Sequence, residues 1–196
     1  MAPHKFSYII FSNGTKNYQN SLRLKLYNQL IPYNPAPTFL GITFDPHFTF
    51  KNQIDSVKSQ FFNPLNCIKI LSNKKWKINL NTLKCVYLAL IRSKIDYSSP
   101  IISVISENKI RKLESIQNCA LRAIFRQPFN QSTNELYNIA KITSIQTRLS
   151  QLNFKFLDKA ILFENPLIEC LIDEYTGINE SRLQKMKTLL CEYFSK

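Results

Sequence analysis

Apolar and polar side chains alternate along residues 1–45, a pattern typical of β-strands that bury one face. Lys5–Ser12 is rich in aromatic and β-branched residues and precedes the turn dipeptide Asn13-Gly14. Leu22–Tyr27 places three leucines on one face and two cations on the other. After a connector with three prolines, in which a helix is disfavoured, Thr38–Asp45 is the third predicted strand. The pattern predicts a small antiparallel β-subdomain.

From Pro46 onward the period changes, because apolar residues recur at intervals of three and four and predict amphipathic helices. The first predicted helix is Lys51–Leu71, with a kink or split at Pro64, and the second is Asn81–Asp96. A third helix is capped by Ser106 and runs through Arg126, and a short one follows the capping-box sequence Ser132–Glu135. The last three are Ile145–Glu164, a helix that begins at Asn165-Pro166 and ends at Gly177, and Glu180–Phe194.

These elements predict an α+β fold that is mostly α, with the antiparallel β-subdomain followed by a helical bundle. We expect three regions: β-rich residues 1–45, basic helical residues 46–130 and neutral helical residues 131–196. The longest apolar stripe lies on the helix after Ser106 and consists of Ile110, Leu113, Gln117, Ala120, Leu121 and Ile124.

Gly41 lies inside the predicted strand Thr38–Asp45. Glycine weakens a strand interior, so its presence there usually marks a bulge or the close approach of another backbone. The approaching group is either a neighbouring strand or a nucleic-acid backbone, and these residues alone leave both open.

The net charge of +13 is unevenly distributed. Residues 51–130 contain fourteen Lys and Arg against four acidic residues, which gives +10. Residues 131–196 contain eight of each sign, and residues 1–50 supply the remaining +3. A polyanionic partner would therefore meet the middle of the chain. A solvated basic surface without a partner is the alternative.

The most basic loop is SNKKWKIN, residues 72–79, between two predicted helices. Lys74, Lys75 and Lys77 surround Trp76, the only tryptophan of the chain. Lysines neutralise phosphates, and an exposed indole stacks on a base or a sugar, so these four residues are candidate nucleic-acid contacts. In the competing interpretation Trp76 packs into the core between the helices.

A second set of cations lies on the helix that follows Ser106. Its members are weaker candidates for nucleic-acid contacts, because a charged helix face is most often only solvated: Lys109, Lys112, Arg122 and Arg126.

Catalytic chemistry has no convincing pattern in the sequence. There is no glycine-rich phosphate loop, no His-x-x-x-His and no nucleophile elbow, and the carboxylates of the basic region are scattered over different elements. No catalytic residue, no metal ligand and no cofactor is therefore predicted in this chain.

The five cysteines are odd in number and far apart, and with two histidines they give too few clustered ligands for zinc. We expect most of them to be small core residues in a reducing compartment, so the chain is predicted to be intracellular, cytoplasmic or nuclear. The N-terminus does not resemble a signal peptide, and no stretch of about 18 apolar residues predicts a membrane span.

Five blocks of sequence carry a family resemblance: FLGITFD, FTFKNQI, LKCVYLALIRSKIDYSSPII, KIRKLESIQNCALRAI and NPLIECLIDEY. In order and spacing they resemble the carboxy-terminal part of the reverse transcriptase of non-LTR retrotransposons, the Jockey-like and LINE-type elements. The resemblance extends from about Lys5 to Tyr175. It departs from the family pattern at Tyr97–Pro100, where the family has Tyr-Gly before Ser-Pro, and at Ser103, which stands near a family tryptophan.

The resemblance implies a right hand of fingers, palm and thumb, in which Lys5–Ser12 is the last palm strand. Leu40, Gly41 and Ile42 would form the primer grip, where backbone lies against the 3′ end of the growing strand. The helices from Lys51 onward would be the thumb that tracks the minor groove of the RNA/DNA template–primer duplex. The parent enzyme would use Mg²⁺.

The family's catalytic Tyr-x-Asp-Asp occurs nowhere in the 196 residues. The resemblance therefore implies a fragment of an RNA-directed DNA polymerase that grips template–primer duplex without the catalytic aspartates and upstream fingers and palm. Such a fragment would be inactive alone. The apolar strand residues would lack their palm partner and favour self-association: Leu22, Leu24, Leu26 and Phe39.

Two alternatives remain from the residues themselves. The chain is a standalone basic helical module that binds nucleic acid, or a helical interaction domain whose positive face binds an acidic protein. Phosphate binding predicts a linear fall of log K with log salt, which separates it from the other possibilities.

Overall fold

The computed structural model describes residues 6–12, 22–102, 105–176 and 189–194, and the chain divides into two compact units, residues 1–59 and 60–196. The predicted fold class is confirmed, because two small antiparallel sheets are followed by helices that make up most of the structure. The three functional regions proposed from the charge pattern stay a prediction.

Strands in the first unit are short. β1 (Lys25–Leu26) pairs with β2 (Gln29–Leu30), and β3 (Thr38–Phe39) pairs with β4 (Ile42–Thr43), both antiparallel. The antiparallel pairing was predicted, but the strands are shorter than predicted. The chain reverses at Tyr27–Asn28, directly after β1, and at Leu40–Gly41, inside the predicted strand Thr38–Asp45. Among residues 6–12 the only β feature is an isolated parallel bridge from Tyr8 to Tyr33, and Asn13-Gly14 lies outside the described residues.

Gly41 is a turn residue and not a mid-strand glycine, which corrects the sequence interpretation. Leu40 and Gly41 connect β3 to β4 with φ values of 48° and 77°. Two-residue hairpin loops with positive φ at both positions match the twist of the strands they join. A Cβ at Gly41 would meet nothing within 4 Å, so the backbone dihedral requires glycine, and close packing within the described chain does not.

Leu40 is an unfavourable residue for this turn, which gives a stability prediction. A left-handed conformation costs an L-residue about 1 kcal/mol, and Asn-Gly is the preferred sequence for such a loop. Leu40→Asn is therefore expected to raise the free energy of unfolding by about 0.5–1 kcal/mol, and Gly41→Ala to lower it by about 1 kcal/mol. Urea denaturation of both variants measures this. A Leu40→Asn protein less stable than the parent would contradict the turn assignment.

Aromatic side chains pack beside the second hairpin. Phe50 is buried, and its ring centroid lies 5.9 Å from that of Phe44 and 6.1 Å from that of Phe48. The carboxylate of Asp45 accepts hydrogen bonds from the backbone N–H of Thr49 at 2.8 Å and of Phe50 at 2.5 Å. These contacts fix the chain as it leaves β4 and enters α1.

The helices are α1 (Lys51–Gln60), α2 (Phe62–Leu71), α3 (Leu80–Tyr87), α4 (Ser93–Tyr97), α5 (Ser99–Ile102), α6 (Glu107–Phe125), α7 (Thr133–Ala140), α8 (Ile145–Leu162), α9 (Pro166–Thr176) and α10 (Leu189–Phe194). A 3₁₀ turn, Lys74–Trp76, follows α2, and a π turn, Leu88–Arg92, joins α3 to α4. In the second unit α6 is central, because it packs against α2, α3, α7 and α8.

The helical periodicity was a reliable guide to this unit. All six residues of the predicted α6 stripe are buried. The predicted helix is split, but at Phe61, three residues before the predicted position, so that Pro64 lies in the first turn of α2, where a missing N–H is tolerated. Asn165 caps α9 as predicted, because its Oδ1 accepts from the N–H of Leu167 at 3.1 Å. Of Glu180–Phe194, only α10 lies within the described residues, and Gly177 lies outside them.

The prediction that most cysteines are core residues is wrong for three of them. Cys67, Cys85 and Cys170 are exposed, Cys119 is half-buried, and all four are free thiols. Successive helical residues are about 100° apart, so Cys67 faces solvent while its neighbour Ile68 is buried. The side chain of Cys191 lies outside the described residues.

Candidate nucleic-acid interface

The basic loop has a defined conformation between α2 and α3. The Asn73 side chain begins the 3₁₀ turn by accepting from the N–H of Lys75 at 3.1 Å. Asn79 does the same at the start of α3, accepting from the N–H of Asn81 at 2.9 Å. Lys77 ends the turn with a φ of 48°. Two asparagine caps therefore hold the short segment that carries the predicted contacts.

Trp76 projects into solvent from this turn, with 60% of its surface exposed. The interpretation that the indole packs into the core is therefore wrong. Lys74, Lys75 and Lys77 are exposed beside it. The turn thus presents one flat aromatic ring and three ammonium groups to the solvent.

Arg126 brings the end of α6 to this turn. It follows α6 in the left-handed conformation, with a φ of 54°. Its Nη2 donates to the carbonyl oxygen of Ser72 at 3.4 Å, across 54 positions of sequence. Ser72 follows α2 directly and precedes the 3₁₀ turn, so the carboxyl ends of α2 and α6 meet where the basic turn begins.

Arg122 lies one turn earlier on α6 and contacts the loop after it. Its Nη2 donates to the carbonyl oxygen of Gln131 at 3.2 Å, and its guanidinium carbon lies 6.0 Å from the ring centroid of Phe129. Phe129 is 85% exposed. We call the group formed at this end of the bundle the α6 C-terminal cluster: Lys74, Lys75, Trp76, Lys77, Arg122, Arg126 and Phe129.

Other predicted contacts lie elsewhere. Lys109 is half-buried and Lys112 is exposed, and both belong to the first two turns of α6. At 1.5 Å per residue, Lys112 is about 20 Å along the helix from Arg126. Leu40 and Gly41 form the hairpin turn of the first unit, and Ile42 begins β4.

Two cations of the basic region form hydrogen bonds within the helical bundle. Lys84 donates to the carbonyl oxygens of Ala140 at 2.7 Å and Lys141 at 3.2 Å, which satisfies the end of α7. Arg92 is 4% exposed. Both residues were included in the basic charge of residues 51–130, although neither is placed to contact a large polyanion.

Arg92 is held in a buried polar network. Its guanidinium donates to the Gln117 side chain and to the carbonyl oxygens of Thr143 and Ser144, each at 3.4 Å. Its Nε lies 3.4 Å from Asp96 Oδ1. Asp96 Oδ2 accepts from Arg148 Nη2 at 2.9 Å and from Nε at 3.2 Å, so one carboxylate serves two guanidinium groups.

The π turn places Arg92 beside an apolar stripe. Residues four apart advance by about 40° around an α-helix, so a stripe with constant four-residue spacing would drift to the solvent side. The π turn contains more residues per turn than an α-helix, which offsets that drift. It also brings one further residue, Arg92, to the buried side. The buried residues are Leu83, Tyr87, Ile91, Arg92 and Ile95.

Tyr87 completes the network on the α6 side. Its hydroxyl donates to Gln117 Oε1 at 2.6 Å, and Gln117 Nε2 donates to the carbonyl oxygen of Thr143 at 3.2 Å. Burial, partly offset by the nearby Arg92, raises the pKa of Tyr87 from 10.0 to about 12. The phenol is therefore neutral and acts as a donor at physiological pH.

A pH dependence follows for Tyr87→Phe. Because the folded state holds the phenolic proton more tightly than the unfolded state, this stabilisation is complete below pH 10 and is lost as pH rises through 12. The difference between the folded and unfolded pKa values corresponds to about 2–3 kcal/mol of stability. At pH 8 the variant should lose about 1 kcal/mol with its hydrogen bond to Gln117.

The stability difference between the two proteins should therefore shrink above pH 10 and reverse near pH 11, which urea unfolding at several pH values measures. The control is Tyr97→Phe at an exposed position, for which we expect a change in the free energy of unfolding below about 0.5 kcal/mol at pH 8. A constant difference for Tyr87→Phe would argue against the buried phenol.

Neither a metal-binding cluster nor a membrane-spanning helix occurs in the described residues. Within the described ranges, no group of three or more His, Cys, Asp or Glu is placed to hold a metal ion. Among the helices of those same residues, none is both long enough and apolar enough to cross a membrane.

Comparison with known proteins gives one distant similarity. The chain is 21% identical over 121 residues to the "Probable RNA-directed DNA polymerase from transposon BS" of Drosophila melanogaster. The match covers 62% of this chain and 13% of that protein, so the chain spans a small part of its relative's length. No family model matches, and no solved structure gives a significant match. The chain is thus distantly similar to a transposon RNA-directed DNA polymerase, in agreement with the resemblance noted in its sequence blocks.

Proposed function

We propose that this chain is a nucleic-acid-gripping part of an RNA-directed DNA polymerase of the non-LTR retrotransposon type. In this proposal the helical region 46–130 is the thumb, which holds RNA/DNA template–primer duplex through its phosphates. The first-unit hairpin with Leu40, Gly41 and Ile42 is the primer grip.

The observation that carries this proposal is the α6 C-terminal cluster. The contact from Arg126 to the Ser72 carbonyl joins two basic segments that are far apart in sequence. Lys74, Lys75 and Lys77 are exposed next to that contact. Several cations at one end of a bundle raise the local potential and attract a polyanion more strongly than scattered cations do.

Two basic residues of the region 46–130 bind groups inside the bundle. Because Arg92 and Lys84 bind carbonyl and carboxylate groups within the bundle, they are left out of the proposed interface. Lys109 and Lys112 would contact phosphates only along a second stretch of duplex, since about 20 Å of helix separates Lys112 from the cluster.

The chain has no Tyr-x-Asp-Asp sequence, so it supplies grip and not nucleotidyl transfer in this proposal. The Mg²⁺ ions of such a polymerase would be bound by palm aspartates, within the fingers and palm of the whole enzyme, and the metal-assisted chemistry would be that of the whole enzyme. Those parts are also the proposed partners of the first unit, in which Leu22, Leu24 and Phe39 are exposed.

The exposed apolar residues favour self-association as a second property of the isolated chain. It does not replace nucleic-acid binding, because Leu22, Leu24 and Phe39 lie outside the strongly basic residues 51–130. Sedimentation at several concentrations, without nucleic acid, separates the two properties.

Binding to a fluorescein-labelled RNA–DNA hybrid duplex at 50–300 mM salt tests the proposal. If the four cluster cations Lys74, Lys75, Lys77 and Arg126 each neutralise one phosphate, log K should fall with log salt at a slope of about −3 to −4. Polyglutamate of equal charge serves as the competitor. A slope near zero would overturn the proposal, because it would mean that no phosphate is neutralised. Displacement by polyglutamate as readily as by unlabelled duplex would overturn it in favour of an acidic-protein partner.

A further inference from the structure

Two aromatic rings in the α6 C-terminal cluster are exposed far beyond what phosphate binding needs. Trp76 is 60% exposed and Phe129 is 85% exposed. Phosphate contacts use cations and N–H groups, and they read no base. In a duplex the base faces are stacked on one another, so an exposed ring at the surface finds no base face to contact. The duplex proposal therefore leaves both rings unexplained.

Trp76 and Phe129 lie at the same end of the helical bundle, next to groups that Arg126 and Arg122 contact. Arg126 reaches the Ser72 carbonyl, and the 3₁₀ turn that carries Trp76 begins two residues later. One turn earlier on α6, the Arg122 guanidinium lies 6.0 Å from the centroid of the Phe129 ring and also donates to the Gln131 carbonyl. The Arg122 guanidinium, fixed by its bond to Gln131, therefore lies at the Phe129 ring while most of that ring stays exposed.

Exposed aromatic rings interleaved with cations are the features that bind single-stranded nucleic acid. Unpaired bases stack on the rings, and the cations follow the backbone between them. Stacking accepts any base, since every base has a π-face, so this arrangement needs no hydrogen-bond readout. None of the cluster residues presents a carboxylate that would repel the backbone.

We propose that the α6 C-terminal cluster binds an unpaired segment of RNA or DNA, with bases stacked on Trp76 and Phe129 and phosphates on Lys74, Lys75 and Arg126. The inference rests on the proposed nucleic-acid function and extends it, because the same cations would follow the backbone from the duplex into an adjoining single strand, whose bases stack on the two rings. Ribose and deoxyribose strands share the chemistry used here.

The only tryptophan of the chain makes the test direct, because all indole fluorescence reports on Trp76. The full chain is titrated with 12-nucleotide single strands of RNA and of DNA, and with blunt duplexes of the same sequence. We expect quenching of Trp76 by a single strand and weak or no quenching by the duplex. Quenching by either sugar type supports the inference, and the two arms report which strand is preferred.

Phe129→Ala and Phe129→Leu then test the second ring by anisotropy. Each should weaken single-strand binding by about 5-fold to 100-fold and duplex binding by less than about 2-fold. The leucine variant keeps apolar bulk and removes only the aromatic face. Phe163→Ala is the control, because Phe163 is 76% exposed but lies after α8 in the neutral region.

The outcomes distinguish the two proposals. Salt-dependent duplex binding without Trp76 quenching by single strands, or with no effect of the Phe129 variants, overturns the single-strand site and leaves the duplex grip standing. Absence of binding to every nucleic acid overturns both. An effect of Phe163→Ala equal to that of Phe129→Ala would also overturn the assignment of the second ring.

Discussion

Replacing Lys74 and Lys75 with glutamine is expected to weaken binding of RNA–DNA duplex at low salt by about ten-fold for each lysine. A hydrogen bond to a charged group contributes about 1.5 kcal/mol, and a factor of ten corresponds to about 1.4 kcal/mol. Glutamine is uncharged and polar, and its side chain is only one atom shorter than that of lysine, so the change removes charge with a small change of shape. The salt slope should become shallower by about two, because two fewer phosphates are neutralised.

Lys155→Gln with Lys159→Gln is the matched control for this prediction. Both lysines are exposed on α8, and the double change lowers the net charge by the same amount. We expect a change in affinity below about 2-fold and a small change in salt slope, because a remote charge is screened beyond about 10 Å. Equal losses in the two double variants would mean that binding depends on total charge and not on the cluster.

Asp96→Asn is expected to lower the free energy of unfolding by about 3 kcal/mol. The carboxylate serves Arg92 and Arg148 together, at distances of 3.4 and 2.9 Å. Its loss leaves Arg92 buried with hydrogen-bonding partners but no negative charge. Removing one partner of a buried ion pair typically costs 3–5 kcal/mol, and the partial exposure of Asp96 places the value at the lower end.

Glu107→Gln makes the same chemical change at a surface ion pair. Glu107 lies 4.0 Å from Arg111, and both side chains are exposed. Exposed pairs contribute about 0–1 kcal/mol, so urea denaturation should separate the two variants clearly. If Asp96→Asn cost no more than Glu107→Gln, the buried network would not hold α4 to α8.

Local periodicity explains why the helices were predicted well. The six stripe residues of α6 and the start of α8 at Ile145 follow from the spacing of apolar side chains over single segments. The helix begun by Asn165-Pro166 follows from capping chemistry, which involves neighbours in sequence. These signals need no knowledge of the tertiary structure, and the fold class depends on little else.

The hairpin at Gly41 was missed because the alternating pattern is the same for one strand and for two short ones. Leu-Gly is not the Asn-Gly or Asp-Gly that marks a two-residue loop in sequence. The burial of Arg92 could not be predicted from the sequence, for a different reason. Its partners Gln117, Thr143 and Ser144 lie 25 to 52 residues away, so only the packing of α6 and α8 reveals that this cation is internal.

The candidate site was predicted in pieces. The basic turn with Trp76 was visible as a cluster in sequence, whereas its junction with Arg126 depends on the packing of α6 against α2. Phe129 was overlooked because the candidate contacts were chosen from clusters of charge, and no charged residue lies within two positions of it. An aromatic directly after proline, in the polar loop QPFNQS, is the signal that would have drawn attention to it.

Photo-crosslinking tests the location of the interface most directly. A template–primer duplex with an unpaired template extension, carrying 5-iodouridine in both parts, is irradiated with the full chain, and cross-linked peptides are mapped by mass spectrometry. The account predicts cross-links in residues 72–79 and 122–131, with single-strand positions joined to Trp76 or Phe129. Cross-links confined to α8 and α9, or spread evenly over the lysines of the chain, would contradict it.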